Sequence, residues 1–500
     1  MSKLSPVDLS FLVLEAPTRQ MHMTAYQVFR LPRGERQTYI PRLLAAYRSG
    51  PVARPFNQKL KWLEGGGVAS WETVEPDLRY HVRHIAVPAP GSMQALSDIV
   101  SFLNSPLLDR TLPLWECYII EGLEDDQFAI MVKVHHAMID GMGALKLFDQ
   151  CISLSPTDKR MTSIWTPMDK PARSRPRTGR TQAQSLMARL GKLPTDLLQI
   201  GAGVAELGAQ NLRLKSSTAA LPFAATKTLY NNAAVSSERR YGSCEIPLAR
   251  VKALSAATGT TANDVLMTII DHALHGYLEA HKAATKDPLV ALMAMSIRQE
   301  GQEASGNQAS AELVPMGKPA ASVQERLEQV HASTTRIKNR SAKLPVAVRQ
   351  LYAMILFGST TLPDVATAFK SIPSINLVIS NMRGPQGQRY LAGAPLVAFQ
   401  GCPIVPPGAG LNVSFVTVNE TICLGVGATP EAVADPHQLT QLILAALADL
   451  EKAALPKKAV TRKSKTRKAA AGKASSAKVT TRRKAPAKVA ARTRPKTPKR

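Results

Sequence analysis

Alternating and helical patterns of apolar residues divide the first 155 residues of the chain into strands and helices. Alternation with β-branched residues predicts strands over Gln27 to Leu31 and Phe128 to Val134. Apolar residues at helical spacing predict helices over Tyr39 to Arg48, Ala95 to Leu103 and Gly143 to Ile152. Residues 1–155 are therefore expected to form a mixed α/β domain.

The pattern changes between residues 156 and 238. Prolines and a basic cluster occupy residues 156–180, and leucines recur at near-helical spacing over Gln182 to Leu212, with a break at Pro194. We interpret residues 156–238 as a linker that contains an amphipathic helical stretch. Two interpretations of this stretch stay open: its leucines insert into a membrane interface, or it packs as an ordinary linker helix on a domain.

Regular patterning resumes after the linker and defines a second half, residues 239–455. Helices are predicted over Ala262 to Glu279 and, with an amphipathic pattern, over His437 to Leu455. Strands are predicted at Leu289 to Ser296, Ser374 to Ser380, Leu411 to Val418 and Thr421 to Val426. No segment repeats with a period of about 20–50 residues, which argues against solenoids and propellers. The fold class is thus α/β (mixed α+β) in two halves.

Charge is distributed unevenly over the 500 residues. The net charge is +26, yet residues 456–500 hold 18 Lys and Arg and no Asp or Glu, which leaves 45 basic and 37 acidic residues in 1–455. A segment of this composition cannot bury enough apolar area to offset its ordering entropy, so we expect residues 456–500 to be a disordered basic tail. Its charge suits non-specific binding to anionic lipid or to DNA.

Cysteine spacing and apolar runs restrict the location of the protein. The five cysteines are far apart and form no CxxC pair, so we expect reduced core thiols in a cytoplasmic protein and no metal site. The apolar run Leu9 to Leu14 lacks the flanks of a secretory signal. No run reaches the roughly 18 apolar residues that a membrane-spanning helix needs. We therefore expect no transmembrane span, with binding at a membrane surface left open.

Two adjacent histidines, His135 and His136, stand where the strand Phe128 to Val134 ends, and Asp140 and Gly141 follow. Successive side chains of a strand point to opposite faces, so the two histidines are not expected to enter the same cavity. One is expected to act in the chemistry and the other to hold the local structure. Histidine suits general-base catalysis on a hydroxyl or thiol that attacks a carbonyl; a structural histidine pair is the alternative. Asp140 either pairs with an arginine or caps the next helix, and Gly141 leaves room for a ligand. The spacing does not match a zinc site.

HHxxxDG, filled here by His135, His136, Asp140 and Gly141, resembles the signature of acyl-CoA-dependent acyltransferases related to chloramphenicol acetyltransferase and to peptide-synthetase condensation domains. Further blocks over residues 4–450 resemble the bacterial wax ester synthase/diacylglycerol acyltransferase family. They include Ser5-Pro-Val-Asp with Phe11 and Glu15, Ser105 to Arg110, Pro113-Leu-Trp-Glu116, Thr261 to Val265, Ser296-Ile-Arg298, Ser380 to Pro385 and Gly408 to Asn412.

The resemblance implies two chloramphenicol-acetyltransferase-like domains with an active-site channel between them. It implies transfer of a long-chain acyl group from acyl-CoA to diacylglycerol, a long-chain fatty alcohol, or both, with acyl-CoA as substrate and no metal or other cofactor. His136 would be the general base and His135 its support, while Asp140 would be structural and paired with Arg298. Substrate binding or support is implied for Gly141, Asn263, Asp264, Ser380 and Asn381.

Residue-level alternatives accompany these implied roles. Asn263 and Asp264 also suit the capping of an apolar helix, Ser380 to Pro385 suits a turn, and Trp115 suits a core anchor. Met382-Arg383 and His275 depart from the family pattern, which leaves the acceptor and the acyl length open. The oligomeric state is open as well.

Two other functions compete with acyl transfer from CoA. A condensation-type enzyme would take its acyl group from a carrier-protein thioester, and a non-catalytic tether of lipid granules or the nucleoid would act through residues 456–500. The complete His-His-Asp-Gly set argues against the tether. Because its acceptors dissolve in lipid, the enzyme is expected at the inner face of the cell membrane or on lipid inclusions.

Overall fold

The computed structural model describes residues 2–4, 6–62, 68–167, 225–231, 237–296, 309–342, 373–406 and 408–455, together with Leu344, Arg349, Tyr352 and Leu356. These residues belong to one compact unit, Met1–Pro456. The predicted amphipathic stretch Gln182 to Leu212 and the basic tail lie outside the described residues.

Fifteen strands and nine α-helices are described in this part of the chain. The strands are β1 (Ser2–Lys3), β2 (His22–Arg30), β3 (Gln58–Trp62), β4 (Val68–Thr73), β5 (Val82–Ala86), β6 (Trp115–Leu123), β7 (Gln127–His135), β8 (Arg240–Pro247), β9 (Val290–Ser296), β10 (Ala309–Pro315), β11 (Leu377–Arg383), β12 (Tyr390–Leu391), β13 (Ala394–Cys402), β14 (Leu411–Val418) and β15 (Thr421–Ala428). The helices are α1 (Pro6–Leu14), α2 (Tyr39–Tyr47), α3 (Leu78–His81), α4 (Met93–Asn104), α5 (Gly141–Cys151), α6 (Leu248–Thr258), α7 (Ala262–Ala280), α8 (Val323–Ala342) and α9 (Pro436–Ala454). Every strand and helix predicted within residues 1–155 and 239–455 is confirmed, with boundaries shifted by a few residues.

The first six-stranded sheet carries the histidine pair and has the order β12-β13-β2-β7-β6-β5. β7 lies in its centre, antiparallel to both β2 and β6. Its even-numbered residues from Phe128 to Val134 pack in one apolar cluster, and Ala129 and Met131 pack in another on the opposite face. Because both faces are covered, this strand is apolar almost throughout. Trp115, at the start of β6, is fully buried, as a core anchor should be.

Helices cover both faces of this sheet. Ser92 is the N-cap of α4, and its hydroxyl accepts a hydrogen bond from the Ala95 N–H at 3.2 Å. Its buried residues Leu96 and Val100 recur at helical spacing and join the cluster on one face. α2 and α5 pack on the other face, where α5 directly follows the turn that ends β7.

The second six-stranded sheet, in the order β10-β9-β11-β14-β15-β8, belongs to the C-terminal half. Its central strands β9, β11 and β14 run parallel, and the outer ones pair antiparallel. α7 and α9 pack side by side over one face in a single large apolar cluster. This sheet therefore has the layered α/β construction that the sequence predicts for residues 239–455.

The C-terminal half contributes two strands to the first sheet. β12 and β13 come from after the linker, yet β13 pairs antiparallel with β2 of the first sheet. β13 also passes close to β15, and a Cβ at Gly425 would lie 2.5 Å from the Gly401 carbonyl oxygen. Only glycine permits this approach. The first sheet is thus completed by residues 390–402, although the patterning assigns them to the second half.

A small third sheet has the order β1-β4-β3, and its residues Leu60 and Trp71 share an apolar cluster with Leu114 and Ala137, which lie just outside β6 and β7. Of the helices in the described ranges, none combines the length and the apolar character needed to cross a membrane.

All five cysteines are free; Cys117, Cys402 and Cys423 are buried, and Cys151 and Cys244 are partly exposed.

Candidate active site

The end of β7 separates the two histidines. The backbone N–H of His135 donates to the Leu114 carbonyl at 3.0 Å, and the N–H of His136 donates to the Met21 carbonyl at 2.9 Å. The two neighbouring histidines therefore bond to two different chain segments, His135 as the last residue of β7 and His136 as the first residue of the following turn. The imidazole of His135 is fully buried, whereas His136 is partly exposed. Only His136 can meet a substrate.

Protein groups face both ring nitrogens of His135. Its Nδ1 accepts a hydrogen bond from the Ala137 N–H at 3.1 Å, so the neutral ring carries its proton on Nε2. That Nε2 lies 3.3 Å from Oε1 of Glu15. The bond to the Ala137 N–H ties the His135 ring to the turn that presents His136, and the Glu15 carboxylate lies behind the ring.

Glu15 is the buried charge behind this turn, with a side chain that is 1% exposed. Its other oxygen accepts hydrogen bonds from the Arg110 guanidinium at 3.0 and 3.2 Å, and Oε1 accepts one from the Met21 N–H at 3.3 Å. Burial raises the pKa of Glu15, but His135, Arg110 and Met21 outweigh it and lower the pKa to about 2. The carboxylate is therefore ionised at neutral pH.

The ring of His136 stacks on Phe11 of α1, with centroids 4.3 Å apart and planes inclined by 24°. Burial lowers the pKa of His136 to about 4, against the opposing effects of the Asp140 charge and of a hydrogen bond to the residue's own backbone. At neutral pH the imidazole is uncharged, which is the form that can take a proton.

Asp140 caps the helix that follows the turn. Its Oδ1 accepts a hydrogen bond from the Gly143 N–H at 2.6 Å, and Asp140 is the N-cap of α5. Of the two interpretations left open by the sequence, capping is thus observed. The expected partner Arg298 lies outside the described residues, so the ion pair stays a prediction.

Gly141 opens α5 opposite the C-terminal half. A Cβ at this position would lie 3.9 Å from the sulfur of Met382 on β11. Ser380 precedes Met382 by two residues on the same strand, so their side chains share a face. The turn after β7 and strand β11 therefore border the same region between the halves, where the resemblance implies a channel.

The remaining predicted site residues lie on the other face of β11. Asn381 is exposed, and its Nδ2 donates to Oδ1 of Asn263 at 3.3 Å. Asp264 is buried in a capping box with Thr261 at the start of α7. It also accepts hydrogen bonds from the Thr334 hydroxyl at 2.6 Å and from His331 Nδ1 at 2.8 Å. Asp264 therefore anchors α7 to α8, as the capping alternative expects.

Three side chains at the site received no role from the sequence: Phe11, Glu15 and Arg110. Glu15 and Arg110 are 95 positions apart, so no local pattern pairs them. The one available signal was a carboxylate directly after the apolar run Leu9 to Leu14.

Among the described residues, no group of three or more His, Cys, Asp or Glu side chains could hold a metal ion.

Comparisons with known proteins agree with this architecture. Residues 4–266 match the model of the wax ester synthase/diacylglycerol acyltransferase catalytic domain, and residues 305–451 match that of the family's C-terminal domain. The probable diacylglycerol O-acyltransferase Tgs4 of Mycobacterium tuberculosis is 51% identical over 463 residues, which cover 91% of this chain and 97% of the relative.

Solved structures agree as well. The wax ester synthase/diacylglycerol acyltransferase of Marinobacter aquaeolei VT8 is 26% identical, with a TM-score of 0.69 over 91% of this chain and 100% of the other. The first condensation domain of the calcium-dependent antibiotic synthetase aligns over 91% of this chain and 96% of its own, with a TM-score of 0.55 at 13% identity. This second likeness concerns the fold alone.

Proposed function

The chain belongs to the wax ester synthase/diacylglycerol acyltransferase family, and we propose that it moves a long-chain acyl group from acyl-CoA to the hydroxyl of diacylglycerol, of a long-chain fatty alcohol, or of both. The products are triacylglycerol or wax ester and free CoA. The name of the 51% identical relative supports diacylglycerol as an acceptor, and the name of the Marinobacter enzyme supports both acceptors.

One observation carries the mechanism: of the two adjacent histidines, His136 alone is accessible, and its ring is neutral at neutral pH. A neutral imidazole can accept the proton of the acceptor hydroxyl as the oxygen attacks the thioester carbonyl. The new C–O bond forms first, and the tetrahedral intermediate then breaks its C–S bond. The leaving thiolate takes the proton back from the imidazolium, which restores His136 and releases CoA as the thiol.

The neighbouring residues act by position. His135, held between the Ala137 N–H and Glu15, fixes the end of β7. Asp140 holds the start of α5, where Gly141 leaves space beside the turn. The mechanism assigns no proton transfer to His135 or to Asp140. The ion pair of Asp140 with Arg298 remains part of the proposal.

Replacing His136 tests the mechanism directly. We expect His136→Ala and His136→Gln to lower kcat by about 100- to 10,000-fold, the usual contribution of a general base. Purified full-length protein is assayed with radiolabelled palmitoyl-CoA and either dioleoylglycerol or hexadecanol. The matched control is His84→Ala, because His84 is a partly exposed histidine on β5 whose Nε2 lies 3.1 Å from Glu121. A His136→Ala enzyme with near wild-type kcat would exclude His136 as the base.

The pH profile separates a base from a merely structural histidine. His136 loses its basic form only as pH falls through about 4, so kcat/KM should be flat at neutral pH and decline on the acid side.

The same assay with acyl-carrier-protein donors tests the condensation alternative. Faster turnover of carrier thioesters than of acyl-CoA would favour that alternative over the proposal.

We also propose that the enzyme works at the inner face of the cell membrane or on lipid inclusions, bound peripherally. Its proposed acceptors dissolve in lipid, so a chain must reach a lipid surface to use them. The basic tail supports attachment to an anionic surface, because each Lys or Arg near an anionic membrane contributes roughly 1 kcal/mol.

A further inference from the structure

Met382 projects from the C-terminal half toward the turn that carries His136. Its sulfur lies 3.9 Å from the position of a Cβ at Gly141, the first residue of α5. Its terminal methyl lies 3.8 Å from the position of a Cβ at Gly401, on β13. One side chain thus reaches from β11 toward two glycines, at each of which the absence of a Cβ leaves space.

The surroundings of Met382 are apolar. It packs, partly buried, on the edge of the apolar cluster to which Met138, Ile139 and Ala144 also contribute. Met138 and Ile139 belong to the turn between His136 and Gly141, and Met138 also touches the cluster on the α1 side, where Phe11 stacks on His136. The turn therefore lies between Phe11 on one side and Met382 on the other.

Such a position suits contact with a hydrocarbon chain. Met382 is partly exposed, apolar and unbranched, and a thioether side chain adapts its shape to what it contacts. Resting on the proposed function, we propose that Met382 is a specificity-determining residue. It limits the bulk of the alkyl chain that lies beside the reacting centre, whether that chain belongs to the acyl donor or to the acceptor.

The size of this side chain then sets a preference among substrates. Shortening Met382 adds room for branched or wider chains, and room for one methylene in an apolar pocket is worth about 10-fold or more in discrimination. The change should affect ratios of kcat/KM among substrates, because the base and the turn remain intact.

Two competition assays test this inference with full-length enzyme. In the first, straight and methyl-branched acyl-CoAs of 12 to about 20 carbons compete for dioleoylglycerol; in the second, straight and branched alcohols compete for palmitoyl-CoA. Met382→Ala and Met382→Val should raise the branched-to-straight ratio by about 5- to 10-fold in one panel. The panel that responds identifies the chain that Met382 contacts. Met382→Leu, of similar volume, should stay close to wild type.

The control is Met142→Ala, which shortens an exposed methionine one residue after Gly141. Ratios that stay within about 2-fold of wild type in both panels for folded Met382→Ala and Met382→Val proteins would overturn the inference. Thermal unfolding checks that these variants fold, and Met382→Val loses less volume should Met382→Ala fail. A wild-type enzyme that forms no ester in either panel would instead remove the proposed function, and this inference with it.

Discussion

At the residue scale, the site depends on what each histidine nitrogen faces. His135 and His136 have the same chemistry and adjacent positions, yet one is enclosed by Ala137 and Glu15 and the other stacks on Phe11 at a partly open surface. Strand alternation alone predicted this division, because the side chains of consecutive residues leave a strand on opposite faces. The partners could not be predicted, because Glu15 and Phe11 lie more than a hundred positions earlier in the chain.

Glu15 gives a prediction at this scale. Glu15→Gln removes the charge that faces His135 and Arg110 and replaces one of the two acceptor oxygens with an amide donor. We expect the free energy of unfolding at pH 7 to fall by about 1–3 kcal/mol, because a buried donor then lacks its acceptor. The pKa of Glu15 falls from 4.5 to about 2 on folding, so its stabilisation is present above pH 4.5 and is lost as pH falls toward 2. Urea unfolding at pH 7, 4 and 3 should show the gap between wild type and variant closing.

A surface carboxylate on the same sheet is the control for Glu15. Glu121→Gln replaces an exposed glutamate on β6 and should change stability by less than about 0.5 kcal/mol. We also expect Glu15→Gln to lower kcat, because the Nε2 of His135 would face a neutral amide instead of a carboxylate. An unchanged unfolding free energy for Glu15→Gln at pH 7 would mean that the carboxylate is not held as described.

At the element scale, much of the fold could be predicted, because strands and helices leave local patterns. Capping of the helix that is now α5 was one of the two roles that the sequence left open for Asp140, and the structure shows that cap. The order of the strands left no such signal. β13 was not among the predicted strands, and its residues were assigned to the second half. It pairs with β2 instead, and that pairing depends on contacts across more than 360 positions.

The cap makes a prediction that separates geometry from charge. Asparagine caps helices about as well as aspartate, whereas alanine does not. We therefore expect Asp140→Ala to lose about 1 kcal/mol of unfolding free energy, together with activity, because the turn that carries His136 loosens. Asp140→Asn should keep both the stability and most of kcat. Urea unfolding and steady-state kinetics on the two variants provide the comparison.

The opposite result has a defined meaning. An Asp140→Asn enzyme as impaired as Asp140→Ala, but with wild-type stability, would show that the negative charge itself is needed. That outcome would favour the proposed ion pair with Arg298 over capping as the main role of Asp140.

At the scale of the whole molecule, the family match and the excess charge occupy different parts of the chain. The match to the family models extends to residue 451, and the relatives are matched over almost their full length by 91% of this chain. Residues 1–455, which contain the whole site, carry 45 basic and 37 acidic residues. The net charge of +26 therefore says little about the chemistry of the site.

Truncation after Leu455 tests this division. We expect the 1–455 variant to retain kcat within about 2-fold on detergent-dispersed substrates, because no residue of the described site is removed, while binding to vesicles rich in phosphatidylglycerol is lost. Binding by the full chain should weaken steeply between 50 and about 500 mM salt, since salt screens exposed charges. Phosphatidylcholine vesicles and a full-length variant with Gln at all 18 basic tail positions are the controls. Undiminished vesicle binding by the 1–455 variant would place the membrane contact in the acyltransferase body, and tight binding of the full chain to duplex DNA but not to anionic vesicles would make the tail a nucleic-acid tether.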